Sequence, residues 1–92
     1  MITLDQKVRV HPDVVDTRIS DDEIALLQLE SKNYFSLNTT AVRIWESLKE
    51  GMSLRDACRR LQDEFDVATE QAESSVIELV DELARQGLVE VD

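Results

Sequence analysis

The chain has 92 residues, with 20 acidic and 10 basic side chains, which gives a formal charge of −10 at pH 7. A surface this acidic repels phosphate backbones, so nucleic acid is not an expected partner. Hydrophobic residues account for 42% of the chain, which is enough for one compact core, and we expect a single domain over residues 1–92.

Three strands are predicted in the first half of the chain. Residues 14–19 are a β-branched run and residues 24–29 are almost continuously apolar, and both compositions favour strands. A polar turn joins these two strands into a hairpin. After a second polar turn, residues 34–37 alternate, with Phe35 and Leu37 on one face. The pattern predicts a three-stranded antiparallel sheet in which an outer strand has an unpaired backbone unless another segment covers it.

The first two predicted helices have clear start signals. Asn38 is suited to cap the first helix, and Gly51 is suited to end it. Ser53 is suited to cap the second helix, whose apolar stripe reaches Phe65. Both helices carry apolar residues at a spacing of three and four, which indicates one buried face on each.

The third predicted helix begins at residue 69 or 70, runs to residue 85 or 86, and stops at Gly87. The apolar tail at residues 88–91 can return as a short strand. The predicted fold class is therefore α+β and winged helix-turn-helix-like: a three-stranded antiparallel sheet, three helices and a short C-terminal strand.

Catalysis has little support in the sequence. The only histidine, His11, lies in the amino-terminal segment, and the only cysteine, Cys58, lies on the apolar stripe of the second predicted helix. Neither has partners at the spacing that nucleophilic or metal chemistry requires, and there is no glycine-rich phosphate loop. The sequence therefore predicts a protein that is not an enzyme and has no catalytic residues, no metal and no cofactor.

No secretion or membrane signal is visible. Residues 1–10 lack the apolar run of a signal peptide, and no segment of the sequence is long and apolar enough to span a bilayer. A cytoplasmic location without a membrane partner is therefore expected.

The third predicted helix has a wider apolar face than a simple amphipathic helix needs. Its main apolar arc contains residues 72, 76, 79, 80 and 83, taking 100° per residue. Ile77 and Ala84 lie beside that arc, and Glu73 and Asp81 border the same flank. Either the sheet covers this extra width, or the flank lines a groove. In a groove beside an uncovered third strand, an extended peptide could add to the sheet edge.

The charge of the same helix bears on the main alternative, a winged-helix transcription regulator or a protein-interaction module derived from one. Residues 69–86 contain five acidic side chains and a single basic one, Arg85. A DNA recognition helix needs basic or amide side chains for phosphates and base edges. Duplex DNA is therefore disfavoured as the partner of this helix.

One aromatic segment is more specific than the helical pattern. The run Tyr34-Phe35-Ser36-Leu37-Asn38 is followed, at a defined spacing, by Ala41, Ile44-Trp45 and Leu48. With the run that precedes it and the apolar positions of the later helices, this segment resembles the PqqD-like family, the recognition elements for ribosomally synthesised and post-translationally modified peptides (RiPPs). The resemblance covers nearly the whole chain from Val8.

The resemblance implies a non-catalytic protein that binds the leader region of a precursor peptide and presents it to a modifying enzyme. That partner is a leader peptidase in lasso-peptide pathways and a radical S-adenosylmethionine enzyme in the pyrroloquinoline quinone pathway. The Tyr34-Phe35 and Ile44-Trp45 segments look more like the general and lasso-type members than like the quinone pathway protein, and the partner enzyme is expected to be a leader peptidase or a radical S-adenosylmethionine enzyme.

In that family the leader adds as a strand beside the third strand and lies against the third helix. Carried over by position, the peptide-binding residues of this chain are Asn33, Tyr34, Phe35, Ser36 and Leu37 on the strand, and Glu73, Val76, Ile77, Val80, Asp81 and Ala84 on the helix.

Overall fold

The computed structural model describes residues 2–91. Strands and helices follow each other in the predicted order, with one additional strand near the amino terminus. The elements are β1 (Val8–Val10), β2 (Val14–Ser20), β3 (Glu23–Gln28), β4 (Tyr34–Leu37), α1 (Thr39–Lys49), α2 (Leu54–Phe65), α3 (Thr69–Arg85) and β5 (Val89–Val91). The predicted α+β class, with a three-stranded antiparallel sheet and three helices, is confirmed.

The three-stranded sheet has the order β2-β3-β4, and both of its junctions are antiparallel. Its central strand β3 is the most apolar, and Ile24 and Leu26 are buried against the helices. Alternation of side chains along a strand puts every second residue of each strand on this helix-covered face. The opposite face carries exposed side chains, among them Val15 and Tyr34.

Strand β1 was not predicted, and it changes the role of the C-terminal strand. The predicted tail strand forms as β5, but it pairs antiparallel with β1 in a separate two-stranded sheet. The register places Val8 opposite Val91 and Val10 opposite Val89. A three-residue strand has too few residues to show periodicity, and its partner lies at the other end of the chain.

Two predicted helix caps are present in the structure. The Asn38 side chain accepts a hydrogen bond from the Ala41 N–H at 3.0 Å, and the Ser53 hydroxyl accepts one from the Asp56 N–H at 3.1 Å. Each bond satisfies an amide that has no partner inside the helix. Gly51, with φ of 82°, follows the end of α1 in a left-handed conformation, which glycine adopts without a steric cost.

The hydrophobic core is a continuous cluster shared by the sheet and all three helices. Trp45 of α1 is buried in it, as expected for a residue on the apolar stripe. Cys58 of α2 is also buried, and desolvation is the main cause that raises the pKa of its thiol. A buried thiol with a raised pKa is a poor nucleophile. None of the described helices combines the length and apolar character needed to cross a bilayer.

Asp16 connects β2 to α1. Its carboxylate accepts hydrogen bonds from the Trp45 indole at 3.0 Å and from the Lys49 ammonium at 2.6 Å. The bond from Lys49 is the largest cause that holds the pKa of Asp16 below its usual value, and the bond from Trp45 is the second. The contact satisfies the only polar atom of a buried indole side chain.

Replacing Asp16 with Asn keeps an oxygen acceptor for Trp45 and removes the charge that pairs with Lys49. Because its pKa is lowered in the folded protein, the carboxylate stabilises the fold above its unfolded pKa, and this stabilisation is lost as pH falls through the folded pKa. We expect Asp16→Asn to lower the free energy of unfolding by about 1 kcal/mol at neutral pH. The difference from the wild type should shrink below about pH 4.

Urea denaturation over a pH series measures this effect. The matched control is Asp63→Asn, because Asp63 is exposed on α2 and makes no ion pair among the described residues. Equal losses of stability in the two variants at neutral pH would show that Asp16 has no special role.

Candidate functional site

The outer strand β4 has one bonded edge and one unpaired edge. The Gln28 N–H donates to the Asn33 carbonyl at 2.9 Å, and the register pairs Leu26 with Phe35. Hydrogen-bonded pairs alternate along an antiparallel ladder, so Phe35 and Leu37 direct their backbone groups to β3. The N–H and C=O groups of Tyr34 and Ser36 therefore point away from the sheet. Within residues 2–91, no strand pairs with this edge.

The other outer strand, β2, differs from β4 in two ways. Its helix-facing positions include Asp16 and Arg18, which form ion pairs with α1. Its register is also irregular between Arg18 and Ser20, as in a β-bulge. Inward-pointing charges and bulges both hinder the addition of another strand to an edge. β4 has neither feature, so it is the more receptive of the two edges.

A depression of about 390 Å³ lies between β4, the start of α1 and one flank of α3. Phe35, Ala41, Ile44 and Leu79 give it an apolar floor. Polar side chains surround this floor: Asn38, Thr40, Ser75, Glu78 and Glu82. The depression therefore combines apolar contact surface with an adjacent strand edge that has free backbone donors and acceptors, and this combination suits an extended peptide.

Hydrogen bonds join the β3–β4 hairpin to the end of α3. The Asn33 amide donates to the Gln86 carbonyl at 3.3 Å, and the Gln28 amide donates to the Gly87 carbonyl at 3.4 Å. Gln28 is buried, and its side-chain oxygen also accepts from the Glu30 N–H at 2.6 Å. These bonds hold the β3–β4 hairpin against the residues that follow α3.

The predicted strand residues differ in where the structure places them. Tyr34 is 66% exposed on the outer face of the sheet, and Ser36 is exposed there too. Phe35 is partly buried at the depression, whereas Leu37 is a core residue with 1% exposure. Asn33 bonds to α3, so its side chain positions the strand.

The predicted helix residues are not those that line this depression. Val76 and Val80 are fully buried in the core. Glu73 and Ile77 lie in another depression, formed by α3 residues alone. Asp81 forms an ion pair with Arg85 at 2.6 Å. Ala84 is partly buried against the core.

The α3 residues beside β4 come from the opposite flank: Ser75, Glu78, Leu79 and Glu82. Leu79 and Ile77 are two residues apart, which separates them by about 200° around the helix. Sequence reasoning missed this flank because the rotation of α3 relative to β4 is set by long-range packing. The position of Leu79 at the margin of the apolar arc was the only signal for it.

A second depression, beside β2 and α1, has a mixed charge. Its lining residues include three acidic and three basic side chains that pair with one another: Asp16 with Lys49, Arg18 with Glu46, and Glu50 with Arg60. Internal pairing of this kind indicates a structural network. Among the described residues, no group of His, Cys, Asp and Glu is arranged to hold a metal ion.

The helices behind a small antiparallel sheet define a winged-helix-like domain, and its open strand edge beside a helix is a feature of strand-addition peptide binders. This chain belongs to the PqqD family: the family model for coenzyme PQQ synthesis protein D (PqqD) matches residues 23–89.

Two solved structures show the same fold. TbiB1 in complex with the TbiA(beta) leader peptide is 30% identical, with a TM-score of 0.84 over 89% of this chain and 94% of that chain. A lasso peptide synthetase B1 complexed with the leader peptide is also 30% identical, with a TM-score of 0.81 over 90% of this chain and 96% of that one. A search of curated proteins gave no match.

The hydrogen bonds of Gln28 make a prediction about stability. Gln28→Ala removes the donor to Gly87 and the acceptor for Glu30 in a partly buried place. We expect the free energy of unfolding to fall by about 1–3 kcal/mol, because unpaired buried polar groups are costly. Chemical denaturation measures it, with Gln71→Ala on the exposed face of α3 as the control. Equal stability of the two variants would contradict a role for Gln28 in holding β3 and its hairpin to the end of α3.

Proposed function

We propose that this protein is a RiPP recognition element that binds the leader region of a precursor peptide as an added strand along β4. The observation that carries the proposal is the unpaired edge of β4, at Tyr34 and Ser36, next to the apolar depression against α3. The two similar structures, both leader-peptide complexes, support it. The bound leader lies between β4 and the Leu79 flank of α3.

The proposed role is non-catalytic. The protein binds the leader and presents the rest of the precursor to a modifying enzyme or leader peptidase in the cytoplasm. The buried Cys58, whose thiol has a pKa raised by desolvation, is a poor nucleophile, which supports this role. The similarity to a lasso peptide synthetase B1 favours a lasso-type pathway over a pyrroloquinoline quinone pathway.

The energetics of strand addition indicate which contacts decide affinity. Ordering a flexible leader costs about 2–5 kcal/mol or more. Tyr34 and Ser36 offer two N–H and two C=O groups, and four bonds at about 0.5–1.5 kcal/mol each gain about 2–6 kcal/mol. The backbone bonds therefore only offset the ordering cost. Apolar anchors in the depression, above all against Phe35 and Leu79, supply the net affinity and the selectivity.

The acidic surface of α3 argues against duplex DNA as the partner. Glu70, Glu78 and Glu82 lie on the solvent side or the flanks of this helix, while its one basic residue, Arg85, is paired with Asp81. A recognition helix with this charge repels the phosphate backbone.

A proline at position 36 tests strand addition directly. Ser36→Pro removes an N–H that points to the open edge and places a ring where an added strand would lie. We expect leader affinity to fall about tenfold or more. The probe is a fluorescent synthetic copy of the TbiA(beta) leader peptide, the ligand of the similar TbiB1, and binding is followed by anisotropy.

The control for this variant is Ser36→Ala, which keeps the backbone N–H and should bind as the wild type does. Circular dichroism and thermal unfolding check that both variants are folded. Undiminished binding by a folded Ser36→Pro variant would contradict leader addition at β4.

A pair of α3 variants tests which flank faces the leader. Leu79→Ala removes an apolar contact from the depression, and Ile77→Ala makes a similar change on the other flank. We expect Leu79→Ala to weaken binding about fivefold or more, as for an interface anchor worth at least about 1 kcal/mol, and Ile77→Ala to have little effect. Calorimetry with the same leader peptide measures both. The reverse order would place the leader on the Glu73 and Ile77 flank.

A further inference from the structure

The strand pattern determines which side chains of a bound leader enter the depression. Phe35 lies on the helix-covered face of β4, at the floor of the depression. In a strand paired with β4, every second side chain lies on that same face. These side chains meet Phe35 and Leu79 first and then the polar residues around them. The chemistry of the surrounding residues therefore selects leader residues at alternate positions.

The charge of these surroundings has one sign. Of the nine side chains that line the depression, the only charged ones are Glu78 and Glu82. They are four residues apart on α3, so their side chains are neighbours and repel each other. Glu78 stands on the outward crest of the helix, where it also borders the depression on the other flank.

The chain supplies little positive charge to these two carboxylates. Arg85 reaches Glu82 only at 3.9 Å, because its nearer contact is Asp81 at 2.6 Å. Glu78 makes no ion pair within residues 2–91. The depression beside β2 is different, because all of its acidic side chains are paired with basic ones from the same chain.

We infer that the leader of this protein carries a lysine or arginine that enters the depression beside β4. Its aliphatic stem lies on Phe35 and Leu79, and its charged end reaches Glu78 and Glu82. Long basic side chains bury their stems on apolar surface while the charge stays in water. The inference rests on the proposed function, because it specifies the leader that the same site selects.

A peptide selection tests this without a known leader. A displayed library of short random peptides is selected on the wild-type protein, and the recovered peptides are synthesised with a fluorescent label. We expect them to share a lysine or arginine at a fixed place in an apolar pattern. Affinities are then measured for the wild type, for Glu78→Gln/Glu82→Gln, and for Asp63→Asn/Glu70→Gln, which removes the same charge from exposed positions outside the depression.

The Glu78→Gln/Glu82→Gln variant should bind about three- to tenfold more weakly at low salt, as expected for two exposed ion pairs. The loss should shrink at high salt because the pairs are screened. Replacing the basic residue of the peptide with methionine should cause the same loss in the wild type and little in that variant. The Asp63→Asn/Glu70→Gln variant should bind as the wild type does.

The outcomes separate this inference from the function on which it rests. The inference is overturned if the two double variants bind equally, or if the selected peptides share no basic residue. In either case, binding that is lost in Ser36→Pro still supports leader binding at β4. Selected peptides that bind Ser36→Pro as tightly as the wild type, or a selection that yields no binder, count against leader binding at β4 itself.

Discussion

Backbone hydrogen bonding along β4 is the constraint on which the proposed function depends. The strand is bonded to β3 on one side, so the N–H and C=O groups of Tyr34 and Ser36 face outward. Unpaired backbone groups of this kind are satisfied by water or by another strand. The side-chain bonds of Gln28 and Asn33 join the β3–β4 hairpin to the end of α3, and a depression lies between β4 and a flank of α3. Hydrogen-bonding groups and apolar surface are thus side by side.

The two outer strands of the sheet differ in how readily they could accept an added strand. β2 carries charged side chains that are committed to α1, and its end is irregular. β4 is regular and has no charged residue. The C-terminal strand is bonded to β1 in a separate sheet, and among the described residues no strand covers the outer edge of β4.

The parts of the fold that depend on local patterns were predictable from the sequence. The hairpin strands, the Asn38 and Ser53 caps and the stop at Gly87 follow from alternation, side-chain acceptors and left-handed glycine. β1 was missed because its pairing is made across almost the whole chain. For the proposed site, the sequence predicted β4 and the Ile77 flank of α3 as peptide-binding, and this stays a prediction, whereas the depression beside β4 is lined by the Leu79 flank. A helix sequence gives its apolar width, but its rotation depends on how several elements pack together.

The alternation of backbone groups along β4 also limits the sequence of a peptide that pairs with it. In a strand laid against Tyr34 and Ser36, only every second residue turns its amide toward β4. Proline has no amide hydrogen, so it is excluded from those residues and tolerated at the ones between them. In a leader that uses this edge, prolines therefore lie an even number of positions apart within the paired segment, a pattern that is visible in a precursor sequence.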